Sequence, residues 1–424
     1  MSDLANTVLP LIRTRGELYR RGAANAHGGQ MHEAVDVLDA AVGTEDPATV
    51  FAVTQKALAS ALTVIARVDD SSGIIGDAVR RLLCLHAATA ATAKPSVARL
   101  VAWMMKFQFD SDVDYFELDP VAYAPALGDE GIALYRNELG KVAAELGLRP
   151  TQFRPGSDAG LLAEDEDRQR RAHDHHVRFT LGWNARRMAV LDRDVDAIIA
   201  THSRDRAVAA WLTDTSVALA EIGEFNLAID WAKQATDFGT GHQSSAAGDH
   251  WCALLARHRP DEELAARLEV FRRWPSSSSA ARLYACAGDS WPQHCRDVLD
   301  RLSSNPRDAV QFTLSTLRDP ELAWQLAHSL DLHSADVWNR LATAYEKVDP
   351  LAVLPVLTDL VTTELAETGA GHYRVAAKYL KRMRVLAAGT EKRSEVDQLV
   401  IELRETHHRR PRLQQEFDRA GLPR

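Results

Sequence analysis

A chain of 424 residues with a formal charge of −9 is long enough for two or three domains or one long repeat array. Hydrophobic residues at 46% and charged residues at 26% allow a sizeable core and exclude wholesale disorder, while the mild acidity excludes a general polyanion binder. Four cysteines (Cys84, Cys252, Cys286, Cys295) with no C-x-x-C pair exclude a disulfide framework and point to reduced, mostly buried thiols.

The N-terminal MSDLANTVLPLIRTRGELYRR lacks the basic-then-apolar order of a signal peptide. No run of about 18 apolar residues is present, so the expectation is a cytoplasmic protein without a membrane span. Ala, Leu, Arg and Glu dominate, and alternating strand patterns are missing, so nearly every segment reads as helix. Over 50–68, Phe51, Thr54, Leu58, Leu62 and Ile65 form one stripe at helical spacing. Asp69-Asp70-Ser71-Ser72-Gly73 stops that helix and caps the next, expected from about Ile74 to Ala90. Pro95 and Ser96 open another. The acidic, aromatic stretch 109–125 reads as a loop or broken helix, and Glu130 to Leu146 as helix. A Pro- and Gly-rich segment followed by the charge run AEDEDRQRR places a boundary at about 147–170. That run begins a long helix through Val177, Leu181, Met188 and Leu191. Beyond it, helices of about ten to twenty residues alternate with short Gly, Pro, Asn and Asp breaks, the spacing of helical hairpins.

Three stretches fit parts of the tetratricopeptide pattern, in which small residues let paired helices approach and bulky ones fill the grooves between hairpins. In EIGEFNLAIDWAKQA, Gly223 makes the turn, Phe225 starts the second helix, Ala228 and Ala235 are the small contacts and Trp231 is the filler. In VWNRLATAY, Trp338, Leu341, Ala342 and Tyr345 give the first-helix spacing. In GGQMHEAVDVLDAAVGTEDP, Gly29 is placed at a turn, with Ala34 and Ala41 small, Leu38 bulky and Pro47 closing. Tyr373, Ala376, Ala377 and Leu380 make a weaker fourth copy.

Longer segments resemble bacterial SWIM zinc-finger family proteins: Tyr373–Leu422, Arg193–Asp205, ALAEIGEFNLAIDWA, Asp69–His86 and Phe107–Gly128. That family joins a small zinc module, C-x-C…C-x-H, to a long helical-repeat region. This chain contains no C-x-C, so the resemblance implies the helical region alone and carries over no zinc ligand.

Candidate chemistry is sparse. On a helix His173 and His176 share a face while His175 points elsewhere, and His202 or a carboxylate would have to complete a metal site. A solvated helix start is the simpler reading. Asp110, Asp112, Asp114, Glu117 and Asp119 begin like a calcium loop, but Tyr115 stands where the turn glycine belongs and Val121 where the bidentate Glu belongs. An acidic loop anchored by Tyr115, Phe116 and Tyr123 fits better. His294 and Cys295 are adjacent and point about 100° apart on a helix, so they do not pair, and Cys286 reads as a buried thiol. Phosphate-cradle, dinucleotide and hydrolase-elbow motifs are missing. From Gly371 to Arg424 there are thirteen Lys or Arg against seven Asp or Glu, a local balance of +6. Arg382, Arg384, Arg404, Arg409, Arg410 and Arg412 are candidate contacts for phosphates or an acidic partner there.

The expectation is therefore an all-α protein: an N-terminal helical domain (1–150), a linker (151–170) and a tetratricopeptide-like α-solenoid of helical hairpins (171–424). The expected function is a noncatalytic scaffold or adaptor that holds a protein or peptide partner in a groove, with no cofactor and no metal. Groove candidates are Trp211, Asn226, Trp231, Asn339, Tyr345, Tyr373 and Lys378, with Trp231 and Tyr345 the readiest to belong to the core instead. The alternative is a nucleic-acid-associated protein that works through Arg409, Arg410 and Arg412.

Overall fold

The computed structural model describes residues 3–16, 18–110, 116–147, 165–205 and 207–424, the side chains of 165–171 excepted. The described residues are helical throughout and contain no strand; a lone bridge joins Leu18 to Val68. They group into two compact units, Met1–Trp231 and Ala232–Arg424.

The first unit holds α1 (Asp3–Ile12), α2 (Arg21–Ala41), α3 (Pro47–Ile65), α4 (Ile74–Ala93), α5 (Val97–Phe109), α6 (Pro120–Glu145), α7 (Asp165–Leu191), α8 (Val195–His202) and α9 (Ala209–Glu221). The division between the units falls inside α10 (Phe225–Asp237). The second unit continues with α11 (His242–His258), α12 (Pro260–Arg273), α13 (Ser277–Ala287), α14 (Trp291–Leu302), α15 (Pro306–Phe312), α16 (Pro320–Ser329), α17 (Ala335–Tyr345), α18 (Leu354–Ala366), α19 (Ala370–Leu386), α20 (Lys392–Thr406) and α21 (Pro411–Arg419). A single π turn, Thr313–Leu317, extends α15.

Helix starts follow directly from sequence. At Asp46-Pro47, Asp119-Pro120 and Asp319-Pro320 the carboxylate accepts from a first-turn amide (Thr49, Val121 and Leu322 N, 2.9–3.0 Å). The proline takes a position whose N–H would have no partner in any case. Asp70 does similar work for α4, accepting from Ile75 N at 3.1 Å and Gly76 N at 2.7 Å. Helix ends are closed by left-handed turns. At Gly223 (φ 87°), Glu224 N donates to Leu219 O and Gly223 N to Ala220 O, the paired bonds that satisfy the last carbonyls of α9. Arg193 and Asp331 close α7 and α16 in the same way, despite their Cβ atoms.

Within each unit a helix packs mainly on the next one or two in the chain. In the second unit the core is correspondingly a succession of clusters in chain order, one around Phe271 and Phe312, one around Val310 and Leu341, one from Ala342 to Leu422. In the first unit α3 packs on α1 and α4. Its most deeply buried residues are small or polar, Thr54, Ala57 and Ala61, while Phe51 and Leu62 are only partly buried. Leu58 and Val64, each 1% exposed, complete that face. The helix is long and apolar enough to cross a membrane by composition, with mean hydropathy 1.5. Within the protein 44% of that stretch is buried, with Val53, Ala57, Leu58, Ala61 and Ile65 in the core of the first unit.

Two local expectations are corrected. Gly29 makes no turn: α2 runs unbroken from Arg21 to Ala41. Its neighbour Gly28 lies where Ile74 of α4 comes so close that a Cβ would sit 2.5 Å from Ile74 Cγ2. Gly28 marks a close crossing of α2 and α4. Residues 120–125, read as a loop or broken helix, form the start of α6, because the Asp119-Pro120 cap sets the helix there and its break comes later, at Gly128 (φ 57°). Asp112, Asp114 and Tyr115 of the acidic stretch, and residues 151–164 of the expected linker, lie outside the described residues.

The centre of the first unit carries a closed polar ring. Gln108 Nε2 donates to Tyr135 Oη (2.6 Å), Tyr135 Oη to Asn184 Oδ1 (2.6 Å), and Asn184 Nδ2 to Gln108 Oε1 (2.8 Å). All three side chains are buried, and they join α5, α6 and α7. A buried polar group without a partner costs about 1–3 kcal/mol, so the ring is stable only when complete. Tyr135→Phe leaves Asn184 Oδ1 without its donor and is expected to lower unfolding stability by about 1–3 kcal/mol in urea titration. An unchanged midpoint would mean the ring does not form. Gly223→Ala forces a Cβ into the left-handed region and is expected to cost about 1–2 kcal/mol by the same measurement.

Candidate functional site

The expected groove residues fall on both units. Trp211, at the start of α9, is half-exposed and lies under the Arg204 guanidinium, 4.7 Å from the ring centroid. Asn226 is exposed and Trp231 is buried in α10. In the second unit Asn339 is half-exposed and Lys378 exposed. Tyr345 stacks face to face on Trp324 at 4.3 Å, and Trp338 meets Trp324 edge-on. Tyr373 is 6% exposed, part of the core, with Arg410 over its ring.

Most of the basic C-terminal side chains are engaged inside the second unit. Arg382 pairs with Glu346, Arg384 with Asp397 and Arg404 with Asp418. Arg404 also holds the Pro423 carbonyl at 2.7 Å. Arg410 donates to Leu365 O at 2.8 Å. Arg412, with Arg374 and Arg419, surrounds the carboxylate of Glu416, which is 4% exposed. Arg409 is exposed and has no partner among the described residues.

The histidine candidates do not converge. His176 Nε2 bonds to Gln108 O at 2.8 Å, His173 and His175 are exposed, and His202 is buried with Nδ1 on Ile198 O at 3.0 Å. Among the described residues no group of three His, Cys, Asp or Glu could hold a metal ion. The cleft beside His176 measures ≈ 10 Å³, room for about one water. The cysteines are free thiols. Burial pushes Cys252 up to about 11, which disfavours the thiolate.

Sequence reading missed three arrangements. The first is Arg187 of α7, which forks to Asp119 at 2.8 Å through Nε and Nη2 and to Glu221 at 2.7–2.8 Å through Nη1 and Nη2. Burial alone would ease its deprotonation, but the bonds from Glu221 and Asp119 outweigh that and hold the charge more firmly than usual. Beside it His202 is pushed down to about 4, by burial first and then by Arg186, Arg187 and Arg204.

The second is His86 in α4. It is 0% exposed, shares a bond of 2.9 Å with Tyr123 Oη, and is enclosed by Phe51, Trp103 and Tyr123. Its Nε2 has no partner. Burial pushes it down to about 4.

The third is a concavity of ≈ 410 Å³ lined by Arg13, Thr14 and Arg15, which follow α1, and by Ser60, Thr63, Val64 and Arg67 at the end of α3. Arg13 Nε donates to Ser60 Oγ at 3.2 Å and Arg67 Nη2 to Thr14 O at 2.6 Å. The Leu18–Val68 bridge, with Asp69 N on Leu18 O at 3.4 Å, holds the two segments side by side. Among the described residues no carboxylate lines this concavity or pairs with its three arginines. The signal in sequence was the pair of arginines in RTRG after an apolar helix, but nothing there says that Arg67 and Ser60 meet them.

These features define an all-α protein of successively packed helices with a cationic concavity between the ends of α1 and α3. The chain belongs to the family described as "Family of unknown function (DUF6880)", which matches residues 10–284, well over half of it and including every residue lining the concavity. No curated protein and no solved structure matches it.

The buried neutral His86 gives a signed pH dependence. Its folded value of about 4 lies below the ordinary 6.5, so the unfolded chain binds the extra proton between those limits. Stability is therefore full above pH 6.5 and is lost as pH falls toward 4. Between about pH 7.5 and 5.5 the wild type is expected to lose about 1 kcal/mol through this one group. His86→Phe should shrink that loss in paired urea titrations; an identical loss in both proteins would refute a neutral imidazole at this position.

Proposed function

We propose that this protein is a noncatalytic scaffold that binds a protein or peptide partner along a tetratricopeptide-like array of helical hairpins. One observation carries the reading: helices pack chiefly on the next one or two helices in the chain, and the second unit's core is a chain-ordered series of clusters. In such quasi-one-dimensional packing each hairpin adds surface without altering a shared core, which suits a binding surface. The resemblance of several segments to the helical region of SWIM zinc-finger proteins, and the buried small residues Ala228, Ala235, Ala342 and Ala376, support the same plan. A cytoplasmic, bacterial setting goes with that resemblance. The warrant from fold to function is one of analogy.

Trp211 and Asn226 on the first unit, and Asn339 and Lys378 on the second, remain the contact residues of this proposal; Asn226 and Lys378 are exposed, Trp211 and Asn339 partly buried. Nucleic-acid binding through the C-terminal end is the weaker reading, because Arg410 and Arg412 are already held by Leu365 O and Glu416.

The test is to isolate the untagged protein from its own cells with its companion, then rebuild the pair from purified components. Trp211→Ala and Lys378→Glu should each weaken the complex by about tenfold, the effect of losing one well-placed contact. Affinity unchanged by both substitutions would reject the groove. Salt-dependent binding to DNA or RNA that Arg409→Ala reduces would support the nucleic-acid reading instead.

A further inference from the structure

We infer that the concavity between the ends of α1 and α3 is a binding site for the phosphate of a small phosphorylated molecule. The inference goes beyond the scaffold reading and does not depend on it.

The charge decides first. Arg13, Arg15 and Arg67 bring three full positive charges to one hollow, and no described lining residue is acidic. Two helices end there, and each helix end contributes only about half a negative charge, so the hollow stays strongly cationic. Some other arginines of the chain are met by carboxylates: Arg187 is held between two, and three arginines share the buried Glu416. Among the described residues the three arginines of the concavity have no carboxylate partner.

Geometry decides next. Two of the guanidinium groups are tethered, each by one of its N–H groups. Arg13 uses Nε on Ser60 Oγ, which leaves both its terminal nitrogens without partners among the described residues. Arg67 uses Nη2 on Thr14 O, which leaves Nε and Nη1. Arg15 has no partner among the described residues. Tethered, planar forks with open N–H donors suit the tetrahedral oxygens of a phosphate, which accept bidentate bonds.

The hydroxyl groups sharpen the class. Ser60 Oγ accepts from Arg13 and so keeps its proton to donate. Thr14 Oγ1 accepts from Gly16 N at 3.1 Å and also keeps its proton. Thr63 Oγ1 donates to Ala59 O at 3.0 Å and is committed. Three cations and two available hydroxyl donors match a group of charge about −2 or more, as a phosphomonoester or pyrophosphate carries near neutral pH, better than a single carboxylate. The volume of ≈ 410 Å³ leaves room beside the phosphate for an organic portion.

The probe is pyrophosphate, titrated calorimetrically into the full-length protein and followed by protein NMR. Binding at one site per chain is expected, weakening as sodium chloride rises from about 50 to about 300 mM. Arg15→Gln removes a side chain with no bond to the rest of the fold and should weaken binding by about tenfold without moving the melting temperature. Arg67→Lys keeps the charge, loses the fork, and should weaken it by a similar factor. Arg409→Gln, an exposed arginine in the other unit, should leave affinity unchanged. Absence of binding at millimolar pyrophosphate overturns the inference, and so does an equal loss in Arg15→Gln and Arg409→Gln, which would mean diffuse attraction. Binding of single-stranded RNA that is lost in Arg15→Gln, with none of pyrophosphate, also overturns it by assigning the hollow to a polynucleotide. Partner capture by the groove uses other residues, so either result can fail while the other stands.

Discussion

A helix cannot end without disposing of its last carbonyls, or begin without disposing of its first amides. In this protein that constraint recurs at every break, and the architecture follows from how it is met. Aspartate followed by proline starts helices at Asp46, Asp119 and Asp319. Left-handed residues close them at Arg193, Gly223 and Asp331. Short closures return the chain at once, so most helices meet one of the next two in the chain. Packing between neighbours in sequence is the result, with small residues such as Ala57, Ala228 and Ala377 at the points of contact.

Charge inside the units obeys a second constraint. A desolvated ion must have several partners, because one Coulombic contact does not offset the loss of water. Glu416 meets the requirement with three arginines, and Arg187 with two carboxylates. Most of the basic side chains of the C-terminal segment are therefore bonded within the unit, although the segment keeps its local excess of positive charge. The histidines follow the opposite course. His86 and His202 are enclosed and held neutral, so they respond to pH through stability.

The arginine-lined hollow departs from both patterns. It is formed where two helices stop and the segments after them run side by side, tied by Arg67 to Thr14 and by Arg13 to Ser60. Those bonds position the guanidinium groups without neutralising them. Solvated cations at a helix end are inexpensive, so the fold tolerates the cluster, and its low internal demand is what leaves it open to a ligand.

The sequence by itself determined the helical class and most of the breaks, because Pro, Gly and Asp act locally: Gly223, Asn305-Pro306, Asp319-Pro320 and Gly369 all fall between helices as expected. It determined much of the core as well, since Ala228, Trp231, Leu341 and Leu380 are buried where helical spacing put them. It missed breaks without such markers, as at 203–208 and 330–334, and it misread Gly29 as a turn, because a glycine that permits a turn is also tolerated inside a helix. Only the tertiary structure decided which arginines are spent on internal carboxylates and which stand free, that Tyr373 lies in the core, that Gln108, Tyr135 and Asn184 close a ring, and that Arg13, Arg15 and Arg67 share one hollow. The physical reason is sequence distance: local geometry fixes a helix, but an ion pair or a cavity joins side chains tens of residues apart, and their meeting depends on how whole helices dock.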